Sequence, residues 1–220
     1  MHPPGSRTII VGILILTFAI PIIAYPFMPE PMASHWGLSG EANGYLPKFW
    51  GLFLVPFISA GLALLFLIIP RIDPLKKNYP QFRPAYDLFV VVILLFLLYL
   101  SVLVILWNLG MKFSMTQVLA PAFGALLYTC GVLIGNAKRN WFVGIRTPWT
   151  LSSERVWEKT HALGGKLFRA AGLLALLGAV LPGIAWLLFI APVLLISVYL
   201  VVYSYLEYQK EEAGAGAAQA

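Results

Sequence analysis

The amino-acid sequence predicts an all-α fold, an integral membrane bundle of six transmembrane helices. The first observation behind this prediction is composition, because 60% of the 220 residues are hydrophobic and only 11% are charged, whereas a soluble domain carries about 25% charged residues. The second is that the apolar residues fall in stretches long enough to cross a bilayer as a helix, which takes about 20 residues. The third is that most basic residues lie between these stretches.

The predicted spans cover residues 8–27, 49–69, 88–111, 114–135, 164–181 and 184–206. The last two come from one apolar stretch that divides at Pro182-Gly183, because proline cannot donate a backbone hydrogen bond and glycine allows the chain to reverse. Residues 1–209 are therefore expected to form a single transmembrane domain. The tail of residues 210–220 has no apolar periodicity, and we expect it to be disordered.

The basic residues predict the orientation of the bundle. If the N-terminus is cytoplasmic, only Lys48 and Lys112 of the 15 Lys and Arg residues fall outside, which leaves 15 − 2 = 13 inside. This distribution follows the positive-inside rule. We expect a multi-pass protein of the cell membrane whose N- and C-termini are both cytoplasmic. Topology then accounts for the net charge of +6, and we expect no direct nucleic-acid binding.

The first outside loop, residues 28–48, contains PMASHWGLSGEANGYLPK at residues 31–48. Its glycines and Asn43-Gly44 are turn signals, and its aromatic residues are typical of the membrane interface. The loop either only caps the bundle or also receives an external ligand. The residues assigned to this extracellular cap are His35, Trp36, Gly40, Tyr45 and Lys48. We expect no cofactor and no metal, because only Glu30 and Glu41 could join His35 as ligands.

The second inside loop, residues 136–165, mixes polar and aromatic residues. Residues 153–163 are predicted to form a short amphipathic helix that Gly164-Gly165 end, with Val156 and Trp157 on its packed face. Arg146 carries a planar guanidinium suited to carboxylate or phosphate, so it either binds such a group or holds the loop to the bundle. The residues assigned to this cytoplasmic binding and signalling loop are Asn136, Asn140, Gly144, Arg146, Thr147, Pro148, Trp149, Thr150, Trp157 and His161.

Two other functions stay open. The predicted spans contain no Asp, Glu or His, which disfavours an ion-coupled transporter but leaves a transporter or flippase for an apolar or neutral substrate, with Asn108 and Gln117 as polar groups. A membrane enzyme acting on lipid or peptide would use His161 as base and Arg146 as anion clamp. We assign no catalytic residue, because the loop has none of the usual catalytic spacings.

Three stretches resemble the SdpI family of membrane immunity and signalling proteins. The outer loop resembles the N-terminal domain of unknown function found in such proteins, through Pro31, His35, Trp36, Gly40, Tyr45 and Lys48. The run RIDPLKKNY at residues 71–79 is similar to the inner loop of that domain. Residues 135–161 resemble the SdpI signature, including NWFVGIRTPWTLSSERVW.

The resemblance implies a non-enzymatic function. In the founding member it implies protection against a secreted peptide toxin and recruitment of a cytoplasmic repressor to the membrane. The partners expected on this basis are membrane lipids, an extracellular peptide toxin and a cytoplasmic repressor protein. The outer cap would then sense the toxin, and the cytoplasmic loop would dock the repressor or hold the signalling state.

Overall fold

The computed structural model describes residues 4–37 and 40–217. Within these ranges, six helices are long and apolar enough to cross a membrane, which confirms the six-span architecture and a multi-pass membrane protein. The elements in chain order are α1 (Pro4–Ala24), β1 (Met32–Trp36), β2 (Ala42–Leu46), α2 (Lys48–Ile72), α3 (Tyr79–Asn108), α4 (Met115–Asn136), α5 (Pro148–Ser152), α6 (Glu154–Leu176) and α7 (Ala185–Ala217). The short α5 lies between the fourth and fifth spanning helices.

The helices form two halves that meet along a seam. Helices α1, α2 and α3 contact one another, α4, α6 and α7 do the same, and the α3–α4 contact joins the halves. Successive spans alternate between two ends of the bundle. The hairpin end carries β1, β2 and the α3–α4 and α6–α7 connections. The basic end carries the α2–α3 connection and residues 137–153, which a hydrogen bond from the Asn78 amide to the Arg139 carbonyl (2.7 Å) joins.

Several helices extend beyond the predicted spans. Helix α3 begins at Tyr79 rather than at residue 88. The residues before position 88, among them Arg83 and Asp87, are helical although they lie outside the apolar stretch that predicts the span. The backbone of Phe82 is not helical (φ −123°, ψ 18°), and this kink lies two residues before Pro84, whose ring disrupts the preceding helical turn.

The predicted loop helix of residues 153–163 is wrong as a separate element. Helix α6 runs without a break through Gly164 and Gly165, and Ser153 caps its start by accepting a hydrogen bond from the Val156 N–H (3.2 Å). A Cβ atom on Gly165 would lie 2.7 Å from the Cα atom of Gly135 in α4. The glycine therefore allows two helix backbones to touch, a common use of small residues in membrane bundles, and it does not end the helix.

Residues 210–217, which belong to the tail predicted to be disordered, continue α7 in the structure. Polar contacts with Ser153 and Lys159, and one within α7, hold the polar end of α7. The Ser153 hydroxyl donates to Glu211 (2.6 Å), and Glu207 pairs with Lys159 (2.5 Å) and Lys210 (2.7 Å). Residues 218–220 lie outside the described residues.

The outer loop forms a β-hairpin that an all-α prediction does not contain. Its two strands are antiparallel, with Met32 opposite Leu46. The carboxamide of Asn108, at the end of α3, accepts from the Ala33 N–H (2.8 Å) and donates to the Ala33 carbonyl (3.0 Å). This side chain pairs with β1 as a neighbouring strand would, and it fixes the hairpin to the bundle.

Candidate functional site

Asn140 organises the segment of residues 137–153 at the basic end. Its side chain is fully buried, and its carbonyl oxygen accepts from the N–H groups of Phe142 (2.9 Å) and Val143 (2.6 Å). Its amide donates to the carbonyls of Lys138 (2.9 Å) and Val143 (2.8 Å). Because both ends of the carboxamide are engaged with the loop backbone, this residue shapes the loop and is not free to bind a ligand.

Asp73 ties this segment to the first half of the bundle. The carboxylate is 1% exposed, and one oxygen accepts from the Tyr79 hydroxyl (3.2 Å) and from the Trp141 N–H (3.0 Å). The sequence reasoning did not assign Asp73 to the site. The signal that could have found it is the RIDPLKKNY run of residues 71–79, which contains both Asp73 and Tyr79.

His161 is a structural residue in this geometry. The ring is 2% exposed and stacks on Trp157 with 3.8 Å between ring centroids. Its Nε2 accepts from the Ile145 N–H (3.0 Å), and its Nδ1 lies 2.8 Å from the Trp157 carbonyl. These partners place the ring proton on Nδ1. Since the Nε2 lone pair is engaged by the backbone, the geometry does not favour His161 as a catalytic base.

Gly144 fits against this ring as no other residue could. Its φ is +108°, and a Cβ atom would lie 2.4 Å from the His161 Nε2. The indole N–H of Trp157 donates to the Ala137 carbonyl (2.8 Å), which fixes the other side of the stack. The positive φ and the missing side chain of Gly144 together allow the loop to close over His161.

Thr147 and Thr150 start α5 with a reciprocal capping box. The Thr147 hydroxyl accepts from the Thr150 N–H (3.2 Å), and the Thr150 hydroxyl accepts from the Thr147 N–H (2.9 Å). Pro148 occupies the first helical turn, where its missing N–H costs nothing. The Thr147 hydroxyl also lies 3.0 Å from the Ser204 hydroxyl of α7, so the same cap attaches the loop to the last helix.

The loop exposes two aromatic side chains and one arginine, and we call them the aromatic–arginine patch: Trp141, Phe142 and Arg146. Trp141 is 50% exposed and Phe142 is 36% exposed. The Arg146 guanidinium donates to the Trp141 carbonyl (2.9 Å) and is otherwise exposed. Phe142 and Arg146 line a cavity of about 460 Å³ between the two halves. This patch is the part of the loop whose chemistry is available to a partner.

The remaining residues assigned to the loop contribute differently. Asn136 is exposed and its amide donates to the Val132 carbonyl of its own helix (2.8 Å), so it is not part of the buried network. The Trp149 ring lies 5.0 Å from the ring of Tyr205 in α7. The structure therefore brings most of the assigned loop residues together, with Asn136 outside the group.

The residues predicted to form an extracellular cap lie in or next to the β-hairpin, at the opposite end of the bundle. His35 is exposed, and its Nδ1 is hydrogen-bonded to the Asn43 side chain. Gly40 has a φ of +82° in the connection between the strands. The Lys48 ammonium lies over the Tyr25 ring (5.3 Å). The assigned cap residues therefore contact different neighbours and do not gather around one point.

A cavity of about 470 Å³ lies beside the hairpin on the seam, and we call it the outer cleft. Trp36 lines it and packs edge-to-face on Trp107, with ring centroids 5.5 Å apart. In the part of the chain that the structure describes, the buried Trp36 indole N–H has no hydrogen-bond acceptor. Tyr45 is 57% exposed and does not line this cleft. Other apolar residues that line it include Trp50, Val104, Phe123, Ala175, Trp186 and Phe189.

The two polar groups that a transport pathway would use are engaged elsewhere. The Asn108 carboxamide pairs with the backbone of Ala33, and the Gln117 amide donates to the Ala179 carbonyl (2.7 Å). Both therefore hold parts of the backbone together, and the geometry does not favour a transporter or flippase that relies on them.

Comparison with known proteins identifies the family of these segments. Residues 136–204 match the SdpI/YfhL protein family, and residues 12–60 match the Domain of unknown function (DUF1648). The chain is 28% identical over 199 residues to the protein called Immunity protein SdpI of Bacillus subtilis (strain 168), covering 90% of this chain and 93% of that protein. No solved structure matches. The resemblance stated from the sequence is thus confirmed.

Proposed function

We propose that this multi-pass membrane chain, a member of the SdpI family, is an immunity protein that protects its cell against a secreted peptide toxin. The observation that carries the proposal is its similarity to Immunity protein SdpI, which extends over 90% of this chain. That extent includes both the cap and the cytoplasmic loop. In this proposal the basic end faces the cytoplasm and the hairpin end faces outside, as the positive-inside rule requires.

The outer cleft is the proposed site for the toxin. It is open, mostly apolar and lined by several aromatic residues, which suits an apolar segment of a peptide. A buried donor without an acceptor costs about 1–3 kcal/mol. A peptide carbonyl that accepts from the Trp36 indole N–H would recover this cost, so the cleft offers both apolar contact and one directed hydrogen bond.

The aromatic–arginine patch is the proposed docking site for a cytoplasmic repressor. Aromatic residues and arginine supply most of the binding energy in protein interfaces, and Trp141, Phe142 and Arg146 are exposed while the polar side chains around them are already paired.

Helix α6 links the two proposed sites. At the basic end it carries Trp157 and His161, which shape the loop. At the other end its Ala175 lines the outer cleft. Transmission of a signal requires two arrangements of the bundle that toxin and repressor favour differently, and α6, like α7, reaches both sites.

Survival of a deletion strain tests the immunity function. We expect a native host that lacks this gene to be killed by the secreted peptides of its parent strain and to be rescued by the wild-type chain. The variant Trp36→Phe keeps an aromatic ring but removes the indole N–H, and it should rescue less well. Trp50→Phe is the control, because Trp50 lines the same cleft with a half-exposed ring. Equal survival with and without the gene would refute immunity.

Affinity purification in mild detergent tests the docking site. We expect a cytoplasmic protein to be retained by the wild-type chain and lost from Arg146→Ala when both insert equally into the membrane. Arg155→Ala is the control, because Arg155 is also an exposed arginine near the basic end but lies in α6, outside the patch. A partner retained equally by Arg146→Ala would rule out the patch as the docking site.

A further inference from the structure

Four cationic side chains line one cavity of about 450 Å³ at the basic end. Arg7 comes from α1, Arg71 from the last turn of α2, Lys76 from the α2–α3 connection, and Arg83 from the start of α3. The cavity lies apart from the extracellular cap, and none of the residues assigned to the cytoplasmic loop lines it. Nothing in the proposed immunity function uses it.

The charge of this cavity is poorly compensated. Arg83 pairs with Asp87 (2.8 Å) and its side chain is 17% exposed. Among the described residues, it is the only one of the four cations that forms an ion pair with a carboxylate. Arg71 donates to the Leu67 carbonyl (2.9 Å), which is neutral. Cations that converge without matching anions repel one another, and an anionic group between them would replace this repulsion with charge-assisted hydrogen bonds.

An apolar groove continues from the cationic cavity. A second cavity of about 530 Å³ shares Arg7, Leu67 and Arg71 with the first. Its other lining residues are Ile10, Val11 and Leu14 of α1 and Ala60, Ala63 and Leu64 of α2, with Val90 of α3. From Arg7 to Leu14 a helix rises about 10 Å, so the groove runs from the basic end into the apolar depth of the membrane. Val11 and Leu64 are more than half exposed, which opens the groove to lipid.

We propose that the two cavities form one site for an anionic glycerophospholipid of the cytoplasmic leaflet. Its phosphate lies among Arg7, Arg71, Lys76 and Arg83, and one acyl chain lies in the groove between α1 and α2. The direct continuity of a cationic chamber with an apolar groove matches an amphiphile whose charged group and hydrocarbon chain are adjacent. Basic pockets between helices on the cytoplasmic side commonly bind such head groups. A free anion would use the chamber alone.

Lipid retention by the purified full-length chain tests this site. The chain is delipidated in detergent and titrated with phosphatidylglycerol, phosphatidylcholine or inorganic phosphate, and bound lipid is counted by native mass spectrometry. We expect one tightly held phosphatidylglycerol per chain, much weaker binding of phosphatidylcholine, and no displacement by millimolar inorganic phosphate. Equal retention of both lipids, or displacement by phosphate, would overturn the proposal, the latter in favour of a simple phosphate site.

Charge-removing variants locate the binding. Each cation removed should weaken phosphatidylglycerol binding about fivefold, so the double variant Arg7→Gln, Arg71→Gln should lose roughly twentyfold to thirtyfold. The matched control is Lys48→Gln, Lys112→Gln, which removes the same charge at the hairpin end and should bind as wild type does. Lys76→Gln, in the exposed connection, replaces the double variant if that variant does not fold. Unchanged binding in the folded charge variants would refute the site.

Discussion

Replacement of Asn140 by alanine tests whether the loop is held by a single buried carboxamide. The substitution leaves two backbone N–H groups, of Phe142 and Val143, without their acceptor. It also leaves the carbonyls of Lys138 and Val143 without a donor. At about 1–3 kcal/mol for each unsatisfied buried N–H, the two donors alone predict a loss of about 2–6 kcal/mol of unfolding free energy.

The matched control is Asn136→Ala. Asn136 belongs to the same stretch of sequence, but its side chain is exposed and bonds only within its own helix, so its loss should cost under about 0.5 kcal/mol. In a chain of this size each kcal/mol shifts the Tm by about 2–4 °C. Asn140→Ala should therefore lower the Tm by roughly 5–20 °C, and Asn136→Ala by under about 2 °C.

Two measurements check this prediction. Thermal unfolding in detergent gives the Tm of each variant, and limited trypsin digestion reports the loop itself, because cleavage after Arg139 or Arg146 needs an opened backbone. We expect faster cleavage at both sites in Asn140→Ala alone. If Asn140→Ala is as stable and as resistant to trypsin as Asn136→Ala, the claim that Asn140 organises the loop is refuted.

Two further substitutions test the glycine contacts. Gly144→Ala places a methyl group against His161 at a φ of +108° and should destabilise the loop by about 2–4 kcal/mol, seen as faster trypsin cleavage; an unchanged rate would contradict the contact. Gly165→Val places side-chain atoms against the α4 backbone at Gly135 and should lower the Tm well beyond the effect of the matched change Gly61→Val, whose position is open; equal effects would contradict close α4–α6 packing.

The sequence predicts the spanning helices well because their signal is local. Each span is a continuous apolar stretch, and the bilayer sets its length. The position of Val156 and Trp157 on the packed face was also expected from helical spacing, and the structure confirms it. The ends of elements are less predictable. In a soluble protein Gly164-Gly165 would signal the end of a helix, but here the pair allows close packing of α6 against α4. The local sequence does not distinguish these two roles, because the second depends on the position of α4.

The features that sequence reasoning missed depend on distant partners. The β-hairpin is held by Asn108, which lies 75 residues from Ala33 along the chain. Asp73 belongs to the site because its carboxylate accepts a hydrogen bond from the Trp141 N–H, 68 residues away along the chain. The polar end of α7 has distant partners as well, because Lys159 of α6 pairs with Glu207 and Ser153 donates to Glu211. No local pattern contains these pairings, so composition alone indicates a loop or a disordered tail.

The two halves of the bundle are unevenly fastened. At the basic end, Asp73 bonds to Trp141 and Asn78 bonds to Arg139 across the seam, while the outer cleft separates the halves near the hairpin. At the hairpin end, the short α3–α4 connection and a hydrogen bond from the Tyr99 hydroxyl to the Val118 carbonyl (3.0 Å) join the same halves beside the cleft. A ligand that widened the outer cleft would therefore rotate one half against the other about these attachments. The rotation would reach the loop through the hydrogen bonds of Asp73 and Asn78, next to the exposed aromatic–arginine patch.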